Sequence, residues 1–285
     1  MARRSRATIS GVRKVLTRLG AAIAVVVVIA VVVDFGATIF AEYRLARSVR
    51  AAAQLSWDPS VAILGFPFVP QALRRRYGEL EIKANDVEHA HVGKASLEAT
   101  MHAVDLAEST WLIGPDASLP IGKLESRIII DSRHLGGFMG ISDLVVEAPT
   151  RDINEQGGSH RGGRDKPLTT ESGISDSHGL IFTGTPTAAG FDKRVSVSVD
   201  LTTGGPDHAT LVITPTRLLT GPGTAQQDVP DDRVAAVLSA FKAELPDQRL
   251  PFGVAPTSQG ARGSDVIIEG ITEGVTVRLN GFRQS

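Results

Sequence analysis

Fifteen uncharged residues, Leu19–Val33 (LGAAIAVVVVIAVVV), follow a start that carries six cations and no acid: Arg3, Arg4, Arg6, Arg13, Lys14 and Arg18. A run this apolar has to be withdrawn from water, so it constrains everything after it. As a helix, fifteen residues reach about 22 Å, short of a bilayer core of about 30 Å. Asp34 interrupts the run, FGATIFA resumes it, and Leu19–Ala41 reaches about 34 Å. The stretch reads as a transmembrane anchor with Asp34 towards the far interface. A basic region ahead of an apolar one is also the layout of a secretory signal. Against cleavage, Ile39 stands where a small residue would be preferred before Ala41. Both readings keep the cations in the cytoplasm and carry the body across the membrane. The expected division is a basic cytoplasmic start over 1–18, an anchor or signal segment over 19–41, and a body over 42–285.

Charge narrows the partners of that body. The chain holds 30 Lys and Arg against 31 Asp and Glu, and setting aside the six leading cations leaves 24 against 31, a net of −7. Such a body repels phosphate polymers at long range, and only 14 aromatic residues are present to stack on bases. No nucleic-acid partner is expected. Cysteine is absent, which excludes disulfides, thiolate metal sites and a cysteine nucleophile.

Past the apolar run, EYRLARSVRAAAQL (Glu42–Leu55) sets Leu45, Val49 and Ala52 on one helical face and continues the helix. ASLEATMHAVDL alternates strictly, Leu97, Ala99, Met101 and Ala103 facing one way and Glu98, Thr100 and His102 the other. Val195, Val197, Val199 and Leu201 form a second alternation, and in all about nine strands are expected. A second long helix starts at Pro230 and Asp231–Asp232. Its apolar face, Val234, Val237, Leu238, Phe241 and Leu245, suits packing on a sheet. A short helix is expected near DSRHLGGFMG. Residues 151–177 lose periodicity and read as a loop. Strands in runs rather than alternating with helices indicate an α+β fold with a largely antiparallel sheet.

Catalytic patterns are weak. Ser175, Asp176 and His178 lie together in ISDSHG, but a triad is assembled in space and this glycine-flanked stretch reads as solvated. His89 and His91 beside Glu88 need a third ligand, which His102 would supply only across a sheet; exposed strand histidines are the plainer reading. No cofactor, no metal and no catalytic residue is expected, and the protein is read as a non-enzyme.

The stretch LGFPFVPQALRRRYGEL (Leu64–Leu80) places Phe66, Phe68 and Val69 beside two prolines and then Arg74, Arg75 and Arg76. On a helix the three arginines spread over about 300°, with Leu73 and Tyr77 on an apolar edge. One reading is a short helix with a solvated remainder. The other is a lipid site, with phosphate at the arginine forks and acyl chains on the aromatics. Strands of this kind fit round a hollow or a solid core equally well, because both bury alternate residues.

ILGFPFVPQALRRRYGELEIKANDVE resembles the opening of the LmeA-like phospholipid-binding family of actinobacterial envelope proteins, its G-x-P-F-[LV] turn falling on Gly65, Pro67, Phe68 and Val69. TAAGFDKRVSVSVDLT and LPFGVAPTSQGARGSDVIIEGITEGVTV resemble later parts of the family, and the likeness runs from Glu42 to Leu279. The loop over 151–177 looks like an insertion, and the triple arginine is heavier than the family's pattern. The resemblance implies a curved sheet wrapped with two long helices into an elongated, tubular fold with a hydrophobic cavity. It also implies an anionic, phosphatidylinositol-like phospholipid as partner, a periplasmic or envelope location and a link to lipomannan assembly. The expected lipid-binding residues are Phe66, Phe68, Val69, Leu73, Arg74, Arg75, Arg76, Tyr77 and Phe252, the last from the later LPFGVAP. Two alternatives stand beside a lipid carrier: an anchored scaffold with a solid core and an envelope protein partner, and an enzyme acting on lipid-linked glycans.

Overall fold

The structure, a computed structural model, describes residues 6–106, 112–148, 173–205, 208–221, 223–225 and 227–283, with side chains from residue 16 onwards. Most of the loop expected over 151–177 lies outside the described residues.

Helix α1 (Arg6–Ala53) runs through position 41 without a break. Its exposed apolar residues from Leu16 to Val33 have no polar side to turn to water. Beyond them the helix becomes one-sided. Ala41, Leu45, Val49 and Ala53, each four residues apart, are buried, while Arg44 and Arg47 stay outside. The last third of the membrane-type helix is thus a core helix of the body.

The chain returns through β1 (Ser60–Leu64) and α2 (Phe68–Arg74) into β2 (Arg76–His89), β3 (Gly93–Asp105) and β4 (Ser118–Asp131). Then come α3 (Ser132–Met139), β5 (Val145–Glu147), β6 (Leu180–Gly184), β7 (Val195–Gly204) and β8 (Thr210–Leu219). The chain ends through α4 (Asp231–Ala240), β9 (Ala243–Leu245), β10 (Ser258–Arg262) and β11 (Asp265–Arg278). Among the described residues every strand pairing is antiparallel. The fold is α+β, as the runs of strands indicate, but the strands form two sheets rather than one: β1-β2-β3-β4-β11-β10 and β5-β6-β7-β8-β9. Neither closes into a barrel.

Two expectations about helices need correction. Only α1 is long. α4 begins at Asp231, as the start signal indicates, and packs Val237 inwards beside β8, but it stops at Ala240. Leu245 belongs to β9, pairing with Leu211 of β8. Pro246 follows it, and the residue before a proline is pushed out of the helical region.

The alternation in β3 also departs from expectation at one residue. Leu97, Ala99 and Met101 are buried, but Ala103 is exposed and Val104 is buried in its place. Ala103 has φ 53°, a left-handed conformation that shifts the phase of the pleat. The same shift crosses four strands at one level. In β2 the buried series changes from Tyr77 to Leu80 around Gly78; in β4 it changes from Ile121 to Leu124 around Gly122. In β11, Gly274 (φ 64°) lies level with Gly122, between the Glu273–Lys123 and Val275–Ile121 pairs. Because the strands shift together, pairing across the row keeps its register. Small residues are required there: a Cβ on Gly122 would lie 3.0 Å from the Ala103 Cβ.

Gln259 of β10 donates directly to the Leu201 carbonyl of β7 (3.1 Å), and two further ties between the sheets run through the segments beside them. Ser175 exchanges hydrogen bonds with Ala261 of β10, its N–H donating to the Ala261 carbonyl (3.0 Å) and its Oγ accepting the Ala261 N–H (2.9 Å). Two residues on, the Ser177 carbonyl accepts the Leu201 N–H of β7. Ser175 is buried and makes this segment a clip between sheets, whereas Asp176 and His178 are exposed, as the solvated reading expects. The second of these ties is His89, at the end of β2, which lies 2.9 Å from the Gln248 amide just after β9.

The coordinated shift across β2, β3, β4 and β11 yields a direct check. Gly122→Val should destabilise the protein by about 1–3 kcal/mol through overpacking against Ala103. A thermal melt in detergent reads it, and an unchanged midpoint would show that the row tolerates bulk.

Candidate lipid-binding site

The arginine-rich stretch is built on α1. Asp34, in the apolar helix, is only 6% exposed, and its two carboxylate oxygens accept the backbone N–H groups of Phe68 (2.8 Å) and Val69 (2.7 Å). Those are orphan donors of the first turn of α2, so Asp34 caps that helix from 34 residues away. Proline at position 67 leaves no N–H of its own there. At the other end Arg75 (φ 56°) closes α2, its N–H donating to Ala72. Gln71 then ties the turn together, donating to the Gly65 carbonyl and accepting the Gly78 N–H.

This geometry divides the expected site residues between two faces. Phe68 and Tyr77 point inwards, 2% and 3% exposed, their rings stacked at 6.1 Å. Burial raises the Tyr77 phenol above its usual range. Val69 is half-buried. Phe66 and Leu73 point outwards, 66% and 79% exposed. Phe66 lies against Phe35 of α1, ring centroids 5.9 Å apart, and Phe35, Ile39 and Phe40 are themselves exposed. Arg74, Arg75 and Arg76 are exposed at the end of α2, with Arg76 paired to Asp105 at 3.0 Å. Phe252 is placed elsewhere, against Phe282 (5.7 Å) and the turn at Leu279–Gly281, which packs on α1. An exposed aromatic face, a cation cluster and an inward aromatic pair thus meet at the point where α1 enters the body. Sequence pattern alone missed Asp34 and Phe35 as partners of this stretch; the interruption of the apolar run by one acid was the available signal.

The clefts elsewhere on the surface differ from the hydrophobic tube implied by the resemblance. One, of about 450 Å³, is lined by Gln54, Trp57, Asp86, Glu88 and Arg283 among others. A second, of about 440 Å³, includes Gln248, Arg249, Pro256, Asn280 and again Arg283. Leu45 and Val49 of α1 and Leu80, Ile82, Met101, Leu124 and Ile128 of the larger sheet are buried in one hydrophobic cluster.

The histidines and carboxylates fall into separate structural roles. His89 is buried rather than exposed, its Nδ1 accepting the N–H groups of His91 (3.1 Å) and Val92 (3.4 Å). Burial holds its imidazole below the usual range, only partly offset by Gln248. His91 reaches Asp247, and His102 lies between Glu79 and Glu125. Arg127 is surrounded by Glu98, Glu125 and Glu269 on a half-buried face of the larger sheet. Burial would raise the Glu125 carboxyl, but Lys123, Arg127 and His102 outweigh it and hold the group ionised below its usual range. A carboxylate held charged in this way is suited to pairing rather than to donating a proton at neutral pH.

A family model described as LmeA-like phospholipid-binding matches residues 32–271. The chain belongs to the LmeA-like phospholipid-binding family. The match opens just before Asp34, so the α1–α2 junction lies inside it. Comparisons with curated proteins and with solved structures give no match.

Two outcomes follow from this geometry. Asp34→Ala should lower stability by about 1–2 kcal/mol, the scale of a lost helix cap, and Asp34→Asn by less, because one acceptor remains. Melts of the full chain in detergent measure both, and an unchanged Asp34→Ala midpoint would remove the cap from the account. His89 governs a pH dependence. Its folded-state pKa is lowered, so the unfolded chain binds the extra proton first, and stability falls as pH drops below about 6.5. His89→Asn should melt lower at neutral pH but lose less between about pH 7.5 and 5.5 than the parent. An equal loss would assign the dependence to other groups.

Proposed function

We propose that this protein is a non-catalytic phospholipid binder of the cell envelope, held to the membrane by an uncleaved α1 with its body on the extracytoplasmic side. The family supports phospholipid binding. The observation that carries the rest is Asp34. Cleavage after Ala41 would remove the cap of α2 and the part of α1 that meets it, so the fold supports a retained anchor. The six leading cations favour a cytoplasmic start. The lipid proposed is anionic and phosphatidylinositol-like, its phosphate met by Arg74, Arg75 and Arg76. Phe66, Val69 and Leu73 contact acyl chains, and Phe68 and Tyr77 form the inner wall. Phe252 belongs to a separate surface in this reading. A role supporting lipoglycan assembly is consistent with such a lipid.

The hydrophobic cluster that α1 shares with the larger sheet favours a second reading, an anchored scaffold whose partner is another envelope protein. Lipid analysis of the full chain separates the two. Native mass spectrometry after mild detergent extraction should detect co-purified phospholipid; a lipid-free chain would support the scaffold.

Replacing Arg74, Arg75 and Arg76 together by Gln should weaken binding to anionic liposomes by about 1–3 kcal/mol, the scale of charged hydrogen bonds. Binding to neutral liposomes and the melting midpoint should hardly change. Part of the effect is already compensated at Arg76 by Asp105. Parent-like binding to anionic liposomes would make the three arginines a solvated helix end.

A further inference from the structure

We propose that the unit Leu64–Arg74 is seated in the outer leaflet of the bilayer beside α1, as a foot on which the body stands. The inference rests on the retained anchor of the preceding reading and adds a second membrane-embedded element, with the leaflet itself as its partner.

Arg18 marks the inner limit of the apolar part of α1, and the stretch from Leu19 to Val33 reaches only about 22 Å. A hydrocarbon core of about 30 Å therefore extends some 8 Å past Val33, about five residues on, to the level of Ile39. The exposure of α1 agrees with that boundary. Phe35, Ile39 and Phe40 are half or more exposed and apolar, Tyr43 is exposed above them, and Arg44 and Arg47 follow. This is the order of an outer interface, aromatic residues first and cations above.

Asp34 consequently lies at hydrocarbon depth, where an unpaired carboxylate is costly. It is 6% exposed because α2 covers it, and both oxygens accept α2 N–H groups. Those bonds fix the start of α2 at the depth of Asp34, and the Phe66 ring against Phe35 fixes the preceding turn at the same depth. Non-helical backbone there needs its polar groups satisfied within the protein. Gln71 does this for Gly65, and Asp34 for Phe68 and Val69. The side chains left facing outwards, Leu64, Phe66 and Leu73, are apolar. Arg74, Arg75 and Arg76 follow directly, where phosphates of the same leaflet would meet them.

The chain's lack of cysteine makes the test direct. Single cysteines at Phe66→Cys, Leu73→Cys and Ile39→Cys carry an environment-sensitive NBD label in the full chain, reconstituted into phosphatidylcholine–phosphatidylglycerol vesicles. Ser264→Cys serves as the aqueous reference. Ser264 is exposed in the β10–β11 turn, at the end of the larger sheet away from α2, since Asp265 pairs with Asp131 whereas Arg76 pairs with Asp105. Labels at 66 and 39 should be quenched by doxyl-phosphatidylcholine and several-fold less accessible to iodide than at 264; the label at 73 should follow 66. A label at 66 as accessible to iodide as at 264, with 39 in lipid, overturns the foot and leaves the anchor intact. Intact mass of the purified chain reads the anchor separately, and a mature chain lacking the residues before Asp34 overturns both. Each labelled chain is melted first, and a Phe66→Trp variant read with brominated lipid replaces any cysteine variant that unfolds.

Discussion

One carboxylate in an apolar helix organises this molecule. Asp34 would be expensive on the surface of a membrane segment, and α2 would start with unpaired donors if it stood alone. Each solves the other's problem through two hydrogen bonds. From that junction α1 continues as a core helix, and β2 leaves α2 to enter the larger sheet. The glutamate at 42 adds a further tie, its Oε1 accepting the Ile63 N–H at the end of β1. Helix α1 and the body are therefore one folded unit rather than a domain on a tether.

Much of the architecture was legible from short-range pattern. The apolar run, the continuation into Glu42–Leu55 and the start of α4 at Asp231 depend on neighbours in sequence and reappear in the fold. Val195, Val197, Val199 and Leu201 are buried as their spacing indicates, but Ser196 and Ser198 between them are buried too, because β7 is covered on both faces. What escaped the pattern depends on partners far away. Asp34 reads locally as an interruption, because its partners are 34 and 35 residues on. Ala103 fits a perfect alternation and still faces outwards, because the shift is imposed by the neighbouring strands as much as by its own sequence. Leu245 continues a helical face by spacing, yet Pro246 and the edge of β8 take it into a strand.

The candidate site was legible in composition and not in direction. Phe66 and Phe68 are two residues apart with a proline between them, and one faces out while the other is buried. Nothing in residue type separates them; the cap on Phe68 does. Phe252 resembled them in sequence context and belongs to a different part of the molecule. The histidines show the same limit, since His89 becomes a buried join between sheets only once Gln248 is brought to it.

The row formed by Gly78, Ala103, Gly122 and Gly274 has a mechanical meaning. Cross-strand side-chain pairs stiffen a sheet, and along this line there is at most one methyl group per strand. The larger sheet therefore has a crease, with Tyr77, Val104, Ile121 and Val275 on the side next to α2 and the rest of the core beyond it. Cross-strand side-chain packing is therefore thinnest along this line, which separates the part of the sheet carrying the arginine cluster from the clipped sheets behind it.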